Sequence, residues 1–228
     1  MDDLSDEVVG CRRCPRLVAW RETVAAQPRA SFSGQRYWGR PIPGFGDRGA
    51  RLVLVGLAPA AHGGNRTGRI FTGDRSGDWL WAAMWRAGLA NQPESISRDD
   101  GLEAYGAWVT AAVRCAPPLN RPTPDERDNC LPFLERELAL LAEARVLLAL
   151  GAFAYDACWR LLGAGRPRPP FGHGREVEVG DGRWVVCSYH PSQQNTFTGR
   201  LTIGMFDGVL ARACQLAGRP SQGPTAGA

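Results

Sequence analysis

The sequence predicts an α/β fold, a three-layer α/β/α sandwich around a central four-stranded parallel sheet, and three observations predict it. Four short apolar runs stand at residues 51–57 (RLVLVGL), 107–113 (AWVTAAV), 145–150 (RVLLAL) and 183–189 (RWVVCSY). Their near-continuous Val, Leu and Ala, without strict alternation, suit strands buried on both faces. Amphipathic helical stretches separate them, so strand and helix alternate along the chain as in stacked βαβ units. The 228 residues, 44% apolar and 22% charged, are enough for one well-buried domain and few for two. Residues 1–218 are therefore expected to form a single domain, with 219–228 (RPSQGPTAGA) as a disordered tail.

Taken in order, the first run leads into a long loop, residues 58–74 (APAAHGGNRTGRIFTGD), and then a helical pattern at 77–90. The second run is followed by CAPPLNRPTP and a helix over 124–144, opened by the cap-like Thr123. That helix carries Leu131, Leu134, Leu138 and Leu141 at three-to-four spacing with charges between, the mark of a helix buried on one side. The third run precedes a helix at 152–162. Residues 175–180 (REVEVG), with Asp181-Gly182 before RWVVCSY, form a hairpin that adds an antiparallel edge. The fourth run leaves through HPSQQNTFTGR into a helix over 198–216. The three unusual loops are expected to meet at the carboxyl ends of the strands, where α/β folds place their ligands.

All 27 basic residues are Arg and there is no Lys. A Walker-type phosphate loop needs its lysine, and Schiff-base catalysis needs a lysine amine unless the α-amino terminus substitutes, so both are set aside. The net charge of +4 fits contact with a polyanion without requiring it. No run approaches the eighteen apolar residues of a membrane span, and the N-terminal residues are acidic where a signal peptide is basic and then apolar, so a cytoplasmic protein without membrane contact is expected.

Seven cysteines in such a chain point to metal or redox work rather than a disulfide framework. Cys11 and Cys14 form a C-x-x-C ahead of the first strand. A thioredoxin-like pair belongs inside a βαβ unit, so a redox role is disfavoured. With Cys115 and Cys130 they supply four thiolates, enough for a tetrahedral zinc site or a [4Fe–4S] cluster, and spacing alone does not choose between these. Cys158, Cys187 and Cys214 lie in apolar segments and read as ordinary buried thiols.

Among the loops, the small residues of 56–68 let backbone N–H groups approach a ligand. Phe71 is an aromatic either for stacking on a planar ligand or for the core. Asp74 reads as a helix cap or as a carboxylate able to hold a cation or orient water. His190, at the end of the fourth strand, reads as a structural imidazole or as a donor to a developing oxyanion. No G-x-S-x-G is present, so a hydrolase nucleophile elbow is unsupported.

Together, Cys11-x-x-Cys14, GLAPAAHGGNRTGR, IFTGD, TAAVRCAPPLN with Cys115 and Cys130, and SYHPSQQNTFTGRLT resemble the family 5 (UDGb) uracil-DNA glycosylases, relatives of the iron–sulfur family 4 enzymes. The resemblance runs in order from Cys11 to Gly218. It implies a [4Fe–4S] cluster on Cys11, Cys14, Cys115 and Cys130, and monofunctional excision of uracil from double-stranded DNA by a monomer, leaving an abasic site. Leu57 stands where family 4 has a catalytic Glu, and Ala111 where family 4 has an Asn that reads the uracil edge. The resemblance therefore moves the acidic role to Asp74 and implies a looser pocket that admits hypoxanthine and xanthine. It implies catalysis by Asp74, His190 and Asn120. The base would be held by Gly56, Ala58, Pro59, Ala60, Ala61, Phe71 and Asn195. DNA would be contacted by Arg66, Arg69, Pro191, Ser192, Gln193, Gln194 and Arg200, the two glutamines as candidate wedges in the base stack. The rival reading is a non-catalytic four-cysteine zinc protein that binds nucleic acid.

Overall fold

The computed structural model describes residues 1–163 and 165–218; the tail expected at 219–228 lies outside the described residues. The chain runs α1 (Asp2–Gly10), α2 (Pro15–Ala26), β1 (Phe45–Gly46), β2 (Leu52–Gly56), α3 (Gly64–Thr67), α4 (Arg75–Arg86), β3 (Ala107–Ala111), α5 (Pro124–Leu140), β4 (Val146–Leu150), α6 (Ala152–Leu162), β5 (Glu176–Gly180), β6 (Arg183–Ser188), α7 (Gln193–Phe197) and α8 (Ile203–Leu216). The sheet order is β1-β3-β2-β4-β6-β5. Its inner four strands, β3-β2-β4-β6, are parallel, as the apolar runs predict, and β1 and β5 pair antiparallel at the two edges. The β5–β6 hairpin turns through Asp181 and Gly182, both at positive φ (53° and 68°), as a two-residue hairpin turn demands.

Alternate residues of the inner strands face opposite layers. Leu52 and Leu54 pack with Trp81, Met84, Phe206 and Leu210 on the α4/α8 side. Val53 and Val55 pack with Leu134, Tyr155 and Cys158 on the α5/α6 side. The three-layer sandwich follows, because a sheet apolar on both faces is stable only when both are covered. Cys158, Cys187 and Cys214 are buried in these layers, as ordinary core thiols.

Three local expectations are corrected. The helix at 124–144 ends at Leu140. The helix expected at 198–216 begins only at Ile203, where Thr202 caps α8, and a separate short helix, α7, capped by Ser192, precedes it, each cap accepting from a backbone N–H inside its helix; Gly199, at φ 70°, turns the chain between them. The helix expected from Gly77 begins at Arg75, capped by Asp74.

Register places the site. Gly56 pairs with Ala111, Val55 with Ala149, and Leu150 with Ser188. The four parallel strands thus end in a row, and the loops after β2, β3 and β6 leave from one edge of the sheet.

Candidate active site at the carboxyl edge of the sheet

Asp74 sits at the N-cap of α4. Its Oδ1 accepts from the N–H groups of Ser76 (2.9 Å) and Gly77 (3.1 Å), while Oδ2 receives no hydrogen bond among the described residues. One oxygen therefore anchors the carboxylate and the other is left for chemistry. Burial pushes the carboxyl up from its ordinary range, and the two backbone bonds oppose that. The close approach has a cause at Gly63: a Cβ there would lie 2.7 Å from Asp74 Cγ and 2.9 Å from its Cβ, so only glycine leaves the carboxylate room.

Phe71 adopts φ 50°, left-handed backbone that side chains rarely take. The conformation is held from both sides, since Trp81 Nε1 donates to the Phe71 carbonyl at 2.8 Å and Gly77 lies so close to that carbonyl that a Cβ would clash with it. The ring lies above the ends of β2 and β3, where Gly56 and Ala111 are both small. A Cβ at Gly56 would come within 2.7–2.8 Å of the ring edge. Phe71 stacks on His190, centroids 5.8 Å apart and planes at 29°, an offset geometry. This contact joins the loop after β2 to the loop after β6 and brings Asp74 and His190 to the same edge of the sheet.

Burial lowers His190 to about 4, so its imidazole is neutral at pH 7 and can donate one hydrogen bond without adding a positive charge. Asn195 Nδ2 donates to the His190 carbonyl at 2.8 Å, and Ser192 Oγ accepts from Asn195 N at 3.4 Å. His190, Pro191, Ser192 and Asn195 are therefore one braced turn, with Asn195 holding His190. Gln193 and Gln194 are exposed in the first turn of α7. Arg200 is exposed, its guanidinium 4.6 Å from the Tyr189 ring.

The loop after β2 is stiffened by its own backbone. The Ala60 carbonyl accepts from Gly63 N and Asn65 N, so it is occupied rather than open. Ala58, Ala60 and Ala61 are half-buried and Pro59 is buried. Arg66 spends its guanidinium on the loop, donating to the carbonyls of His62 and Gly73 and to Gln35.

Arg69 corrects an expectation. It is 3% exposed and grips Asp100 with two bonds (2.8 and 2.7 Å), together with Ser95, Thr72 and the Arg98 carbonyl. A buried, saturated guanidinium cannot reach a phosphate, so Arg69 fastens the loop to residues 95–100. Asn120 is exposed at φ 54°, next to Leu119, 82% exposed at φ 55°. Among the described residues Asn120 makes no hydrogen bond with Asp74 or His190, and its exposure puts it at a loop tip.

Cys11, Cys14, Cys115 and Cys130 line one cavity with Arg21, Arg114, Asn129 and Phe133. Among the described residues no three His, Cys, Asp or Glu side chains converge on one point as a single metal ion requires. Two buried guanidiniums face the thiols. Arg21 donates to Cys115 Sγ at 2.9 Å, and Arg114 is paired with Glu137 at 2.6 Å. The Nε–H groups of both arginines are buried without a partner among the described residues. Burial pushes Cys115 up to about 12 and Cys130 up to about 11. The cavity adjoins the edge just described, because Ala58 packs against the cluster of Cys14, Leu17, Val113, Cys115 and Cys130 and Asn65 Nδ2 donates to the Arg21 carbonyl at 3.2 Å.

Sequence reasoning missed Gly63 and Arg21. Gly63 was readable only as one glycine among several in a loop, and Arg21 has its sulfur partner 94 positions away.

A carboxylate and a neutral imidazole thus both stand on loops at the strand ends, the two kinds of group that can steady a positive charge and a growing anion. Residues 43–213 match the model of the uracil DNA glycosylase superfamily. The chain is 54% identical over 211 residues to the type-5 uracil-DNA glycosylase of Thermus thermophilus, covering 92% of this chain and 95% of that protein. It is 53% identical over 218 residues to that of Mycobacterium leprae, with 95% of each covered. To the type-4 uracil-DNA glycosylase of Archaeoglobus fulgidus it is 27% identical over 198 residues, covering 84% and 81%. The chain belongs to the type-5 family within the uracil-DNA glycosylase superfamily.

Proposed function

We propose that this protein is a monofunctional glycosylase that flips uracil out of duplex DNA and hydrolyses its glycosidic bond. The observation that supports this reading is the Phe71–His190 stack, which joins the loop that carries Asp74 to the loop that carries His190. The flipped base would stack against Phe71, whose ring is 7% exposed in the unbound chain. The C1′–N1 bond breaks with its electron pair passing to the base, giving an oxocarbenium-like sugar and an anionic uracil. Asp74 Oδ2 steadies the cation and orients the water that adds its oxygen to C1′. The water's proton ends on the departing base, so the products are free uracil and an abasic deoxyribose. His190 donates to the developing uracil oxyanion, worth about 3 kcal/mol if it acts as one oxyanion-hole donor. With no lysine to form a Schiff base, the strand is left intact. Ala111 carries no amide to read a pyrimidine edge, which supports acceptance of hypoxanthine and xanthine as well. Exposed Arg200, with Gln193 and Gln194, fits the DNA-facing rim.

Cys11, Cys14, Cys115 and Cys130 would hold a [4Fe–4S] cluster. Four thiols around a shared cavity supply the ligand set that a cubane cluster needs. The unpartnered Nε–H groups of Arg21 and Arg114 suit the negative charge of a thiolate-ligated cluster. When bound, the cluster supplies a cross-link among the α1–α2 turn, the β3 loop and α5, and no part of the bond cleavage.

The test is incubation with a uracil-containing duplex followed by alkali. Strand breaks that appear only after alkali support the reading; intact strands, or breaks without alkali, overturn it. The zinc-binding alternative predicts no breaks at all. No helix among the described residues is long and apolar enough to cross a membrane.

A further inference from the structure

His173 lies between α6 and β5 at the tip of a turn closed by Arg175 N donating to the Gly172 carbonyl (3.1 Å). Gly174 N donates to the Cys187 carbonyl at 2.8 Å, which pins the turn against the last residues of β6. In that position the His173 ring stacks on Tyr189, centroids 5.0 Å apart and planes at 27°. Its Nδ1 accepts from Tyr189 N at 3.1 Å. The backbone of Met205, in the first turn of α8, lies beside the ring. With Nδ1 accepting, the neutral imidazole carries its proton on Nε2, and Nδ1 is fixed to the Tyr189 amide. Tyr189 is the residue immediately before His190. Its N–H leaves the sheet at β6, so without His173 it would have no partner among the described residues at a half-buried position.

We propose that His173 is a positioning residue for His190, fixing the backbone from which that imidazole is presented to the base. This rests on the reading of His190 as the donor to the departing base. His190 is held from both sides: Asn195 takes its carbonyl, and His173 takes the amide of the residue before it. Removing one brace lets the donor wander by a fraction of an ångström, enough to slow a reaction that depends on its placement.

The experiment compares His173→Phe, which keeps the ring and loses both nitrogens, with His173→Gln, whose amide offers an acceptor and a donor. Each is made in the parent and in His190→Ala, and single-turnover excision from a uracil-containing duplex is measured. His173→Phe is expected to slow the parent about tenfold and His190→Ala less than about twofold, with Gln recovering most of the loss. Amide exchange at Tyr189 is read alongside and should quicken at least about tenfold in His173→Phe. Equal losses in both backgrounds, or unchanged Tyr189 exchange, overturn the proposal. Should the parent excise no uracil, the reading of the function fails, while the exchange result still decides whether His173 holds the strand end.

Discussion

Replacing Gly63 with alanine isolates the placement of Asp74 from its chemistry. The added methyl carbon would lie 2.7 Å from Asp74 Cγ, and nearer still to Oδ2, where ordinary contact begins at 3.4 Å. The neighbour on the other side of the clash is the cap itself, Oδ1 held by Ser76 N and Gly77 N, so the carboxylate cannot retreat without stretching those bonds. The carboxyl carbon must move by about 0.7 Å and Oδ2 by more, a displacement of the size that costs roughly 10²-fold in rate. Weakening the cap adds about 1 kcal/mol of lost stability, or about 2–4 °C in Tm for a chain of this length. The assay is single-turnover excision from a uracil-containing duplex beside thermal unfolding. Gly208→Ala is the control: its Cβ meets nothing within 4 Å and it removes a glycine from inside α8, so activity should hold and stability rise slightly. A Gly63→Ala protein with parental rate would refute the claim that Asp74 must stand where Gly63 allows it.

Three further outcomes follow from the same geometry. Asp100, held at about 2 by Arg69 against the opposing effect of burial, compensates a buried guanidinium, so Asp100→Asn should cost about 3–5 kcal/mol, read as a Tm drop on the order of 10 °C. His190, depressed to about 4, contributes stability that is complete above its unfolded value near 6.5 and fades as pH falls toward 4. The full shift corresponds to at most about 3 kcal/mol, and His190→Phe should flatten chemical-denaturation stability across that window; an unchanged slope would contradict the burial. The purified protein should be brown, with absorbance near roughly 400 nm, and Cys115→Ser should lose the colour; a colourless protein containing zinc would contradict the cluster.

The inner sheet was legible because strands buried on both faces must be apolar throughout, and LVLVG, AWVTA, VLLAL and RWVVCS are close to that. Strand β1 was not, since two residues, Phe45–Gly46, carry no period. Helices α1 and α2 escaped because each buries only a few side chains, among them Arg21, whose charge disguises a core position. The cap role of Asp74 and the strand-end place of His190 could be read locally, since each depends on neighbours within a few residues. Arg69 could not, because a lone arginine in a loop looks solvent-facing until Asp100, 31 positions on, comes to meet it. His173 was invisible for the same reason: its partner Tyr189 is 16 positions away, and nothing in FGHG announces it.

The most direct measurement is the single-turnover rate of Asp74→Asn, His190→Ala and the double variant on one uracil-containing duplex, with binding to the same DNA measured in parallel. Each single change should slow excision by at least about 10²-fold while DNA affinity stays near parental, because both groups serve the separating charges rather than the grip on the backbone. Parental rates in both single variants, with tight binding retained, would show that this edge of the sheet does not break the glycosidic bond.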